Sequence, residues 1–318
     1  MKQLSRAELA RFPKADLHLH LEGALLPGDL RLLYARGRRP PLPRSTWPAL
    51  YRFDGFRGFL RAFGTVCQLL QEPADFGRLI PRLASRLAQQ GVRRAEIFVS
   101  LPVHLRRGLR GESILEALLE KRIAARRRGV DLGFILDGVR QWGSEALAPC
   151  VELARRYREE GVLGIGLGGD ETSRGPEEFA PLFRRARRFD LNTVMHVGEV
   201  GAPEAIARDL RILEPQRLGH ALRAAEDPAL LDWLALNRIP VEVAITGNWR
   251  MGLLRRPADH PLPHFLRHGV PVVLATDDPA FFRTTLLGEY AQAQRLFGLS
   301  PTRMRALARQ SLRASFPA

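Results

Sequence analysis

The fold is decided by the stretch Pro13-Lys14-Ala15-Asp16-Leu17-His18-Leu19-His20-Leu21-Glu22-Gly23. Leucine alternates there with polar residues, which is the period-two pattern of a short strand. Residues two apart on a strand share a face, so His18 and His20 are expected to point to the same side. Two neutral imidazoles side by side suit a zinc ion. A polar edge strand with two solvated histidines would show the same pattern, so the rest of the chain has to distinguish the two.

Length and composition indicate an ordinary soluble globular domain. The chain has 318 residues, of which 45% are hydrophobic and 26% are charged. A barrel of alternating strands and helices takes about 250 residues or more, so we predict a single domain over residues 1–318. We find no long uncharged apolar run and no apolar signal core after Met1, so no membrane span and no export are expected. Cys67 and Cys150 match no metal-binding spacing and fit a reducing cytoplasm.

The net charge of +15 comes almost entirely from arginine, because lysine occurs only at positions 2, 14 and 121. The arginines are scattered along the whole chain. A nucleic-acid-binding protein would more often gather them on one helix or arm, with aromatic residues for stacking. That class of function, which predicts binding that weakens steeply with salt, stays an alternative without a supporting motif. We therefore expect no nucleic-acid partner.

Helical patterns follow the first strand directly. A helix is predicted from Pro27 to about Arg39, with proline in its first turn, and the Pro-rich loop at 40–43 ends it. Next, Phe53, Phe56, Phe59 and Phe63 recur at helical spacing. This apolar stripe is typical of core packing, but it could also cover a pocket.

Strand and helix patterns then alternate to the end of the chain. Seven further strands are predicted at 94–100, 132–137, 162–167, 191–196, 217–220, 240–245 and 270–276. Eight strands separated by helices indicate an α/β fold, a (β/α)8 TIM barrel with extra helices after strand one.

Polar groups with catalytic potential lie at the ends of five of these strands. They are His18 and His20, Gly169-Asp170-Glu171, His196 with Glu199, His220, and Asp277-Asp278. In a barrel these positions converge on the C-terminal face, where active sites are built. So many ionisable groups at strand ends are hard to attribute to chance.

The same residues predict a zinc site with one ion per chain. Its expected ligands are three imidazoles and one carboxylate: His18, His20, His196 and Asp277. Such a set leaves a position for water, and zinc lowers the pKa of that water. His220 could act as a base toward the water and Glu199 as an acid toward the leaving side of a substrate. Asp278 is left over to contact the substrate.

The successive motifs resemble those of the adenosine deaminase family, in the amidohydrolase superfamily. They are Leu17-His18-Leu19-His20-Leu21-Glu22-Gly23, Gly168-Gly169-Asp170-Glu171, His196-Val197-Gly198-Glu199, Arg217-Leu218-Gly219-His220 and Thr276-Asp277-Asp278-Pro279. The match runs in order from about residue 12 to 290. The resemblance implies a mononuclear zinc barrel that replaces a purine 6-amino group with oxygen and releases ammonia.

The resemblance also implies a role for each matched residue. The four zinc ligands would be those already predicted, with His20 also bordering the substrate. His220 would orient and deprotonate the water, and Glu199 would protonate ring N1. Asp278 would hydrogen-bond ring N7 and the Gly169 amide would meet ring N3. Glu22 would lie near the sugar hydroxyls.

Several features leave the exact substrate open. Residues 162–169 contain no lysine, glutamate or aspartate, which disfavours a binuclear metal site. The segment Ala244-Ile245-Thr246-Gly247-Asn248 departs from the family's usual Cys-Pro-x-Ser-Asn, and Val197 and Ala221 are further departures. Adenosine or 2′-deoxyadenosine leads as substrate, with adenine below it because the adenine branch tends to carry serines at Gly169-Asp170. Aminodeoxyfutalosine stays open, because Gly168-Gly169 resembles that branch.

A final expectation concerns charge in the pocket. If Glu22 lies beside the zinc, its carboxylate should repel a 5′-phosphate. No arginine or lysine occurs in the motif segments except Arg217, at the far end of its strand. We therefore expect a small-molecule nucleoside partner, deaminated in preference to AMP. The oligomeric state is not predicted.

Overall fold

A computed structural model describes residues 3–34 and 44–317 of the chain. Eight parallel strands form one sheet in the order β1 to β8. They are β1 (Lys14–His20), β2 (Val92–Val99), β3 (Asp131–Val139), β4 (Val162–Gly168), β5 (Asn192–Val197), β6 (Arg217–His220), β7 (Val241–Val243) and β8 (Val272–Leu274). The predicted (β/α)8 barrel is therefore confirmed, with the two last strands shorter than their sequence patterns.

Sixteen helices surround the strands in the described residues. They are α1 (Arg6–Ala10), α2 (Pro27–Tyr34), α3 (Trp47–Leu50), α4 (Gly55–Cys67), α5 (Pro73–Ala88), α6 (Leu101–Leu105), α7 (Gly111–Arg126), α8 (Ser144–Arg156), α9 (Ala180–Arg188), α10 (Pro203–Leu213), α11 (Pro228–Leu236), α12 (Ile245–Arg250), α13 (Leu262–His268), α14 (Pro279–Phe282), α15 (Leu286–Phe297) and α16 (Pro301–Arg313). Across 3–34 and 44–317, none of them combines the length and apolarity that crossing a bilayer requires.

The extra helices after strand one are confirmed as α2 to α5. Helix α2 is described as far as Tyr34, so the predicted continuation to Arg39 and the Pro-rich loop lie outside the described residues. The phenylalanine stripe falls mainly on α4, with Phe53 just before it. Phe59 packs on Phe281 at a centroid distance of 5.4 Å, which places α4 over the C-terminal end of the barrel.

The first strand alternates as its sequence indicates, and it is buried along its whole length. Leu17 packs with Val273 of β8 and against Leu312 of α16, which lies outside the barrel. His18 and His20 therefore face inward, and their Nε2 atoms are 3.3 Å apart. A strand whose leucines pack against helices can offer its histidines only to the barrel interior.

The barrel closes between β1 and the segment that follows β8. The backbone N–H of His20 donates to the carbonyl of Asp277 at 2.9 Å, and the N–H of Asp277 donates to the carbonyl of His18 at 2.8 Å. Below them, the Asp16 carboxylate accepts bonds from the backbone N–H and the hydroxyl of Thr276, at 3.2 and 2.6 Å. The seam of the barrel therefore runs directly beneath the predicted zinc ligands.

A buried ion-pair network fills the lower part of the barrel. Arg217 is 1% exposed, and its guanidinium donates to Glu96 and to Glu242, each at 2.6 Å. The same group lies 3.7 Å from the centroid of the Phe316 ring and donates to the Ala314 carbonyl at 2.9 Å. Buried charges of this kind are tolerated only when they are paired, so the three side chains depend on one another.

Replacing Arg217 should destabilise the protein strongly. In Arg217→Met the carboxylates of Glu96 and Glu242 lose their buried cation, and we expect the free energy of unfolding to fall by about 3–5 kcal/mol. The matched control is Arg309→Met, on the exposed side of α16, which should change it by less than about 0.5 kcal/mol. Denaturant unfolding followed by circular dichroism measures both. Equal stability of the two variants would contradict this account of the network.

Candidate active site

Four of the predicted residues converge at the C-terminal end of the barrel. The Nε2 atom of His20 lies 3.3 Å from that of His18 and 3.2 Å from that of His196. Asp277 Oδ1 lies 3.6 and 3.5 Å from the Nε2 atoms of His18 and His20. Ligand atoms of a tetrahedral site with metal–nitrogen distances of about 2.0–2.1 Å are separated by about 3.3 Å. The nitrogen atoms of His18, His20 and His196 therefore have the spacing of ligands to one metal ion, and Asp277 Oδ1 lies at a similar distance from two of them.

The protonation of the histidines also fits a metal. Burial lowers the pKa values of His18 and His20 well below their ordinary range and lowers the pKa of His196 to about 4. All three rings are therefore neutral near pH 7. His20 Nε2 lies within 3.3 Å of two other Nε2 atoms. A neutral ring can donate at most one hydrogen bond from that atom, whereas a cation would be bound by all three nitrogens.

The orientation of His18 is set by a carboxylate that the sequence analysis did not single out. Glu242 Oε2 lies 2.7 Å from His18 Nδ1, while Glu242 Oε1 accepts the bond from Arg217. The contact keeps a proton on Nδ1 and so leaves Nε2 free as a ligand. The sequence signal that could have identified Glu242 is a charged residue in the middle of the apolar strand Val241-Glu242-Val243.

Two further predicted residues, His220 and Glu199, lie next to the predicted metal ligands. Glu199 Oε1 is 3.6 Å from His220 Nε2. Burial raises the pKa of Glu199 well above its ordinary value, and the charges of Glu171 and Asp277 raise it further. Burial lowers the pKa of His220, as do the neighbouring histidines. Burial thus favours a protonated Glu199 and a neutral His220, which are the forms of a proton donor and a proton acceptor.

Both groups are held by neighbours to which the sequence patterns assigned no role. The Asn248 side-chain amide lies 2.9 Å from His220 Nδ1, and its Oδ1 has no other partner within the described residues. With that oxygen turned toward the ring it accepts the Nδ1–H and leaves Nε2 free to accept a proton. Glu171 accepts bonds from the backbone N–H groups of Gly198 and Val200, each at 2.6 Å. It therefore holds the loop that carries Glu199. Asn248 belongs to the segment after β7 that departs from the family's usual Cys-Pro-x-Ser-Asn, and it is the position at which the two agree.

Asp278 is buried at the edge of the site with an unused hydrogen-bonding atom. Its Oδ1 has no hydrogen-bond partner within the described part of the chain. Burial raises its pKa well above the ordinary value, and the adjacent Asp277 raises it further. A Cβ on Gly23 would lie 1.8 Å from Asp278 Oδ1, so only glycine at position 23 leaves room for this carboxyl group.

Two site residues adopt a left-handed backbone conformation at the ends of their strands, with His220 the last residue of β6 and Asp277 three residues after β8. The φ angles of His220 and Asp277 are +62° and +61°. Residues other than glycine rarely adopt this region, and such strain collects at functional sites. The turn lets each strand end abruptly while its side chain still points into the barrel.

A cavity of about 440 Å³ opens above these groups, a size usual for small-molecule sites. Its floor is formed by polar residues from the strand ends: His20, Asp137, Gly169, His196, Glu199, His220, Asp277 and Asp278. Its outer wall is largely apolar and comes mainly from α4: Phe56, Phe59, Leu60, Phe63, Val103 and Met251. Gly169 (φ +98°) lines the floor where a Cβ would lie 2.3 Å from Gln141 Oε1.

Glu22 does not line this cavity among the described residues. It is fully buried, and its Oε1 accepts bonds from His104 Nε2 at 2.9 Å and from the Ser100 N–H at 3.1 Å. The strand ends at His20 and a 3₁₀ turn begins at Glu22. The alternation that would have placed Glu22 beside His20 therefore stops, and the side chain turns toward α6. The contact with sugar hydroxyls stays a prediction without support from this geometry.

The contact between Glu242 and His18 can be tested through the metal. In Glu242→Gln the side chain keeps its size but loses the charge that holds the Nδ1 proton, so we expect metal affinity to fall by about 10–100-fold. Competition with a chromophoric chelator measures the affinity, and circular dichroism checks the fold. Glu214→Gln, at the exposed end of α10, is the control. A folded Glu242→Gln variant with unchanged affinity would show that the contact is not needed.

Comparison with known proteins agrees with the geometry. The family model for adenosine deaminase matches residues 13–318. An adenine deaminase of Streptomyces coelicolor is 34% identical over 312 residues, which cover 97% of this chain and 91% of that protein. An aminodeoxyfutalosine deaminase of the same organism is 35% identical over 315 residues, covering 98% of this chain and 81% of that protein.

Solved structures lead to the same family. An adenine deaminase from Arthrobacter aurescens superposes with a TM-score of 0.88 at 28% identity, covering 96% of this chain and 94% of that one. An N6-mAMP deaminase from Arabidopsis superposes with a TM-score of 0.87 at 26% identity, covering 98% and 95%. With matching sequence, fold and strand-end residues, the chain belongs to the adenosine deaminase family of hydrolytic deaminases.

Proposed function

We propose that this protein is a zinc-dependent deaminase that converts an adenine nucleoside to the corresponding inosine-type nucleoside and ammonia. One observation carries the proposal: a set of ligands for a single metal ion lies beside a proton donor, Glu199, and a proton acceptor, His220, on the floor of one cavity. His18, His20, His196 and Asp277 would hold the zinc, which when bound supplies a water of lowered pKa. Similar proteins named as adenine and aminodeoxyfutalosine deaminases support a purine substrate.

The residues around the ligands suit the proton transfers of this reaction. His220 Nε2 faces the ligand cluster and can take a proton from water. Glu199, protonated because it is buried, can give a proton to ring N1, which makes C6 open to attack. Water adds its oxygen at C6 after losing one proton to His220. As the C6–N bond breaks, the amine takes that proton from His220 and leaves as ammonia, and the remaining hydroxyl proton returns to Glu199 as the C6 carbonyl forms.

The remaining floor residues can orient the purine. Ring N7 accepts hydrogen bonds only, so Asp278 must be protonated to bind it, and its raised pKa supplies that form. The Gly169 backbone lines the opposite part of the floor and can meet ring N3. With N1, N3 and N7 all contacted, the ring has one orientation, and its N9 substituent leads toward the outer wall.

The lining of the cavity favours a nucleoside over free adenine. The groups that can bind the purine ring lie on the floor, and the apolar wall of Phe56, Phe59 and Phe63 continues beyond them. A bare base would leave that wall without contact. The same observation favours a second candidate, aminodeoxyfutalosine, whose 5′ substituent is larger than a hydroxyl and whose deaminases from Streptomyces are 35% identical to this chain.

Ammonia release from a panel of purines tests the proposal. With adenosine, 2′-deoxyadenosine, aminodeoxyfutalosine and adenine, we expect a nucleoside to give the highest kcat/KM and adenine the lowest. Chelator treatment should abolish turnover, and about one zinc per chain should restore it. Highest activity on adenine, or full activity after metal removal, would contradict the substrate or the zinc respectively.

The role of Glu199 gives a separate prediction. Glu199→Gln keeps the hydrogen bonds but cannot deliver a proton, so kcat should fall on the order of 10²–10⁴-fold with zinc content unchanged. In the unaltered enzyme the acid must be protonated, so activity should decline as pH rises through the raised pKa of Glu199. Glu204→Gln, at the exposed start of α10, is the control. Near-normal turnover of Glu199→Gln would make Glu199 structural.

A further inference from the structure

The rim of the cavity carries a charge opposite to that of its floor. Three arginines line it: Arg61 on α4, and Arg106 and Arg107 just after α6. The acidic residues that line the same cavity within the described residues are confined to the floor, and all are at most 7% exposed: Asp137, Glu199, Asp277 and Asp278. A ligand that reaches from floor to rim therefore meets a polar site, then an apolar wall and then positive charge.

Two of these guanidinium groups are held in place by uncharged partners. Arg107 donates to the carbonyls of Cys67 at 2.8 Å, Leu70 at 3.0 Å and Gln68 at 3.2 Å, all at the C-terminal end of α4. Arg106 lies over the Trp142 ring at 4.3 Å from its centroid. These contacts restrict the side chains without cancelling their charge, since no carboxylate of the described residues pairs with either. A positioned guanidinium without a counter-charge is a ready binding group for an anion.

We propose that the rim formed by Arg61, Arg106 and Arg107 binds an anionic group, a carboxylate or a phosphate, at the far end of the N9 substituent of the purine. The inference rests on the proposed function, because the purine on the floor sets the direction of that substituent. The phenylalanines of α4 would then cover the uncharged middle of the ligand. This assigns the substrate class as an anionic adenine nucleoside rather than a neutral one.

The structure gives no support for repulsion of an anionic substituent by Glu22. Repulsion of a phosphate was expected from Glu22, but its carboxylate lies outside the cavity lining, bonded to His104 and Ser100. His104 in turn lies between Glu22 and Arg107, with His104 Nδ1 3.5 Å from Arg107 Nη1. The charge next to the ligand is therefore that of the arginines. These arginines come from α4 and from the segment after α6, which lie outside the family motifs.

Binding of reaction products tests the inference without depending on turnover. Calorimetry on the zinc-loaded protein would compare inosine, inosine 5′-phosphate and inosine 5′-carboxylate. We expect at least one anionic product to bind tighter than inosine by about tenfold or more. The phosphate and carboxylate arms distinguish the two kinds of anion. Equal or weaker binding of both anions would overturn the inference.

The variants connect the preference to the rim. In Arg61→Gln/Arg106→Gln/Arg107→Gln, with the fold checked by circular dichroism, the ratio of anionic to neutral affinity should fall toward one. Arg110→Gln, an exposed arginine outside the cavity lining, should keep the ratio of the unaltered protein. A ratio that survives the folded triple variant, or that Arg61→Gln/Arg106→Gln leaves wholly unchanged, would also overturn the inference. Turnover of the matching adenine compounds is measured in parallel. Anion preference without deamination would refute the proposed function alone, and deamination without anion preference would refute the rim alone.

Discussion

The barrel depends on one buried cation, Arg217, which lies between the carboxylates of Glu96 and Glu242. Without it, two negative charges would remain in the apolar lower half of the barrel, which is far less favourable than solvation in water. Glu242 connects this network to the chemistry, because its other oxygen faces His18 Nδ1. A single carboxylate thus serves the stability of the base and the orientation of a metal ligand. The residues at the bottom and top of the barrel cannot be varied independently.

Burial has opposite effects on the acids and bases of the site. It favours the neutral form of every ionisable group, so it raises the pKa of Glu199 and Asp278 and lowers that of His220. The carboxyl groups become proton donors and the imidazole becomes an acceptor near neutral pH. The assignment of acid and base thus follows from the depth of the barrel as much as from residue identity. The polar contacts of Asn248 and Glu171 then fix where the two groups point.

Local patterns predicted the parts of this molecule that depend on short stretches of sequence. The alternation around His18 and His20 indicated an inward-facing strand, and polar residues after later strands indicated a common site. Side chains that act across the barrel were not visible in this way, because the contact of Glu242 with His18 spans 224 residues. Glu22 shows that the end of a strand is also hard to predict. The alternating pattern continues through Glu22 in the sequence, but the strand ends at His20 and the backbone turns. Of the rim arginines, Arg61 lies on α4, and Arg106 and Arg107 follow α6; no local pattern indicates where these elements pack.

Chemistry and ligand selection are divided between different elements of the fold. The groups that would carry proton transfer and metal binding sit at strand ends, whereas the outer wall and rim come mainly from α4 and the segment after α6. Surface helices tolerate substitution more readily than strands packed on both faces. New substrates can therefore evolve by changes in these helices while the catalytic strands stay as they are. Such a division would produce related deaminases that act on different substrates. The similar proteins, at 26–35% identity to this chain, are indeed named for different substrates.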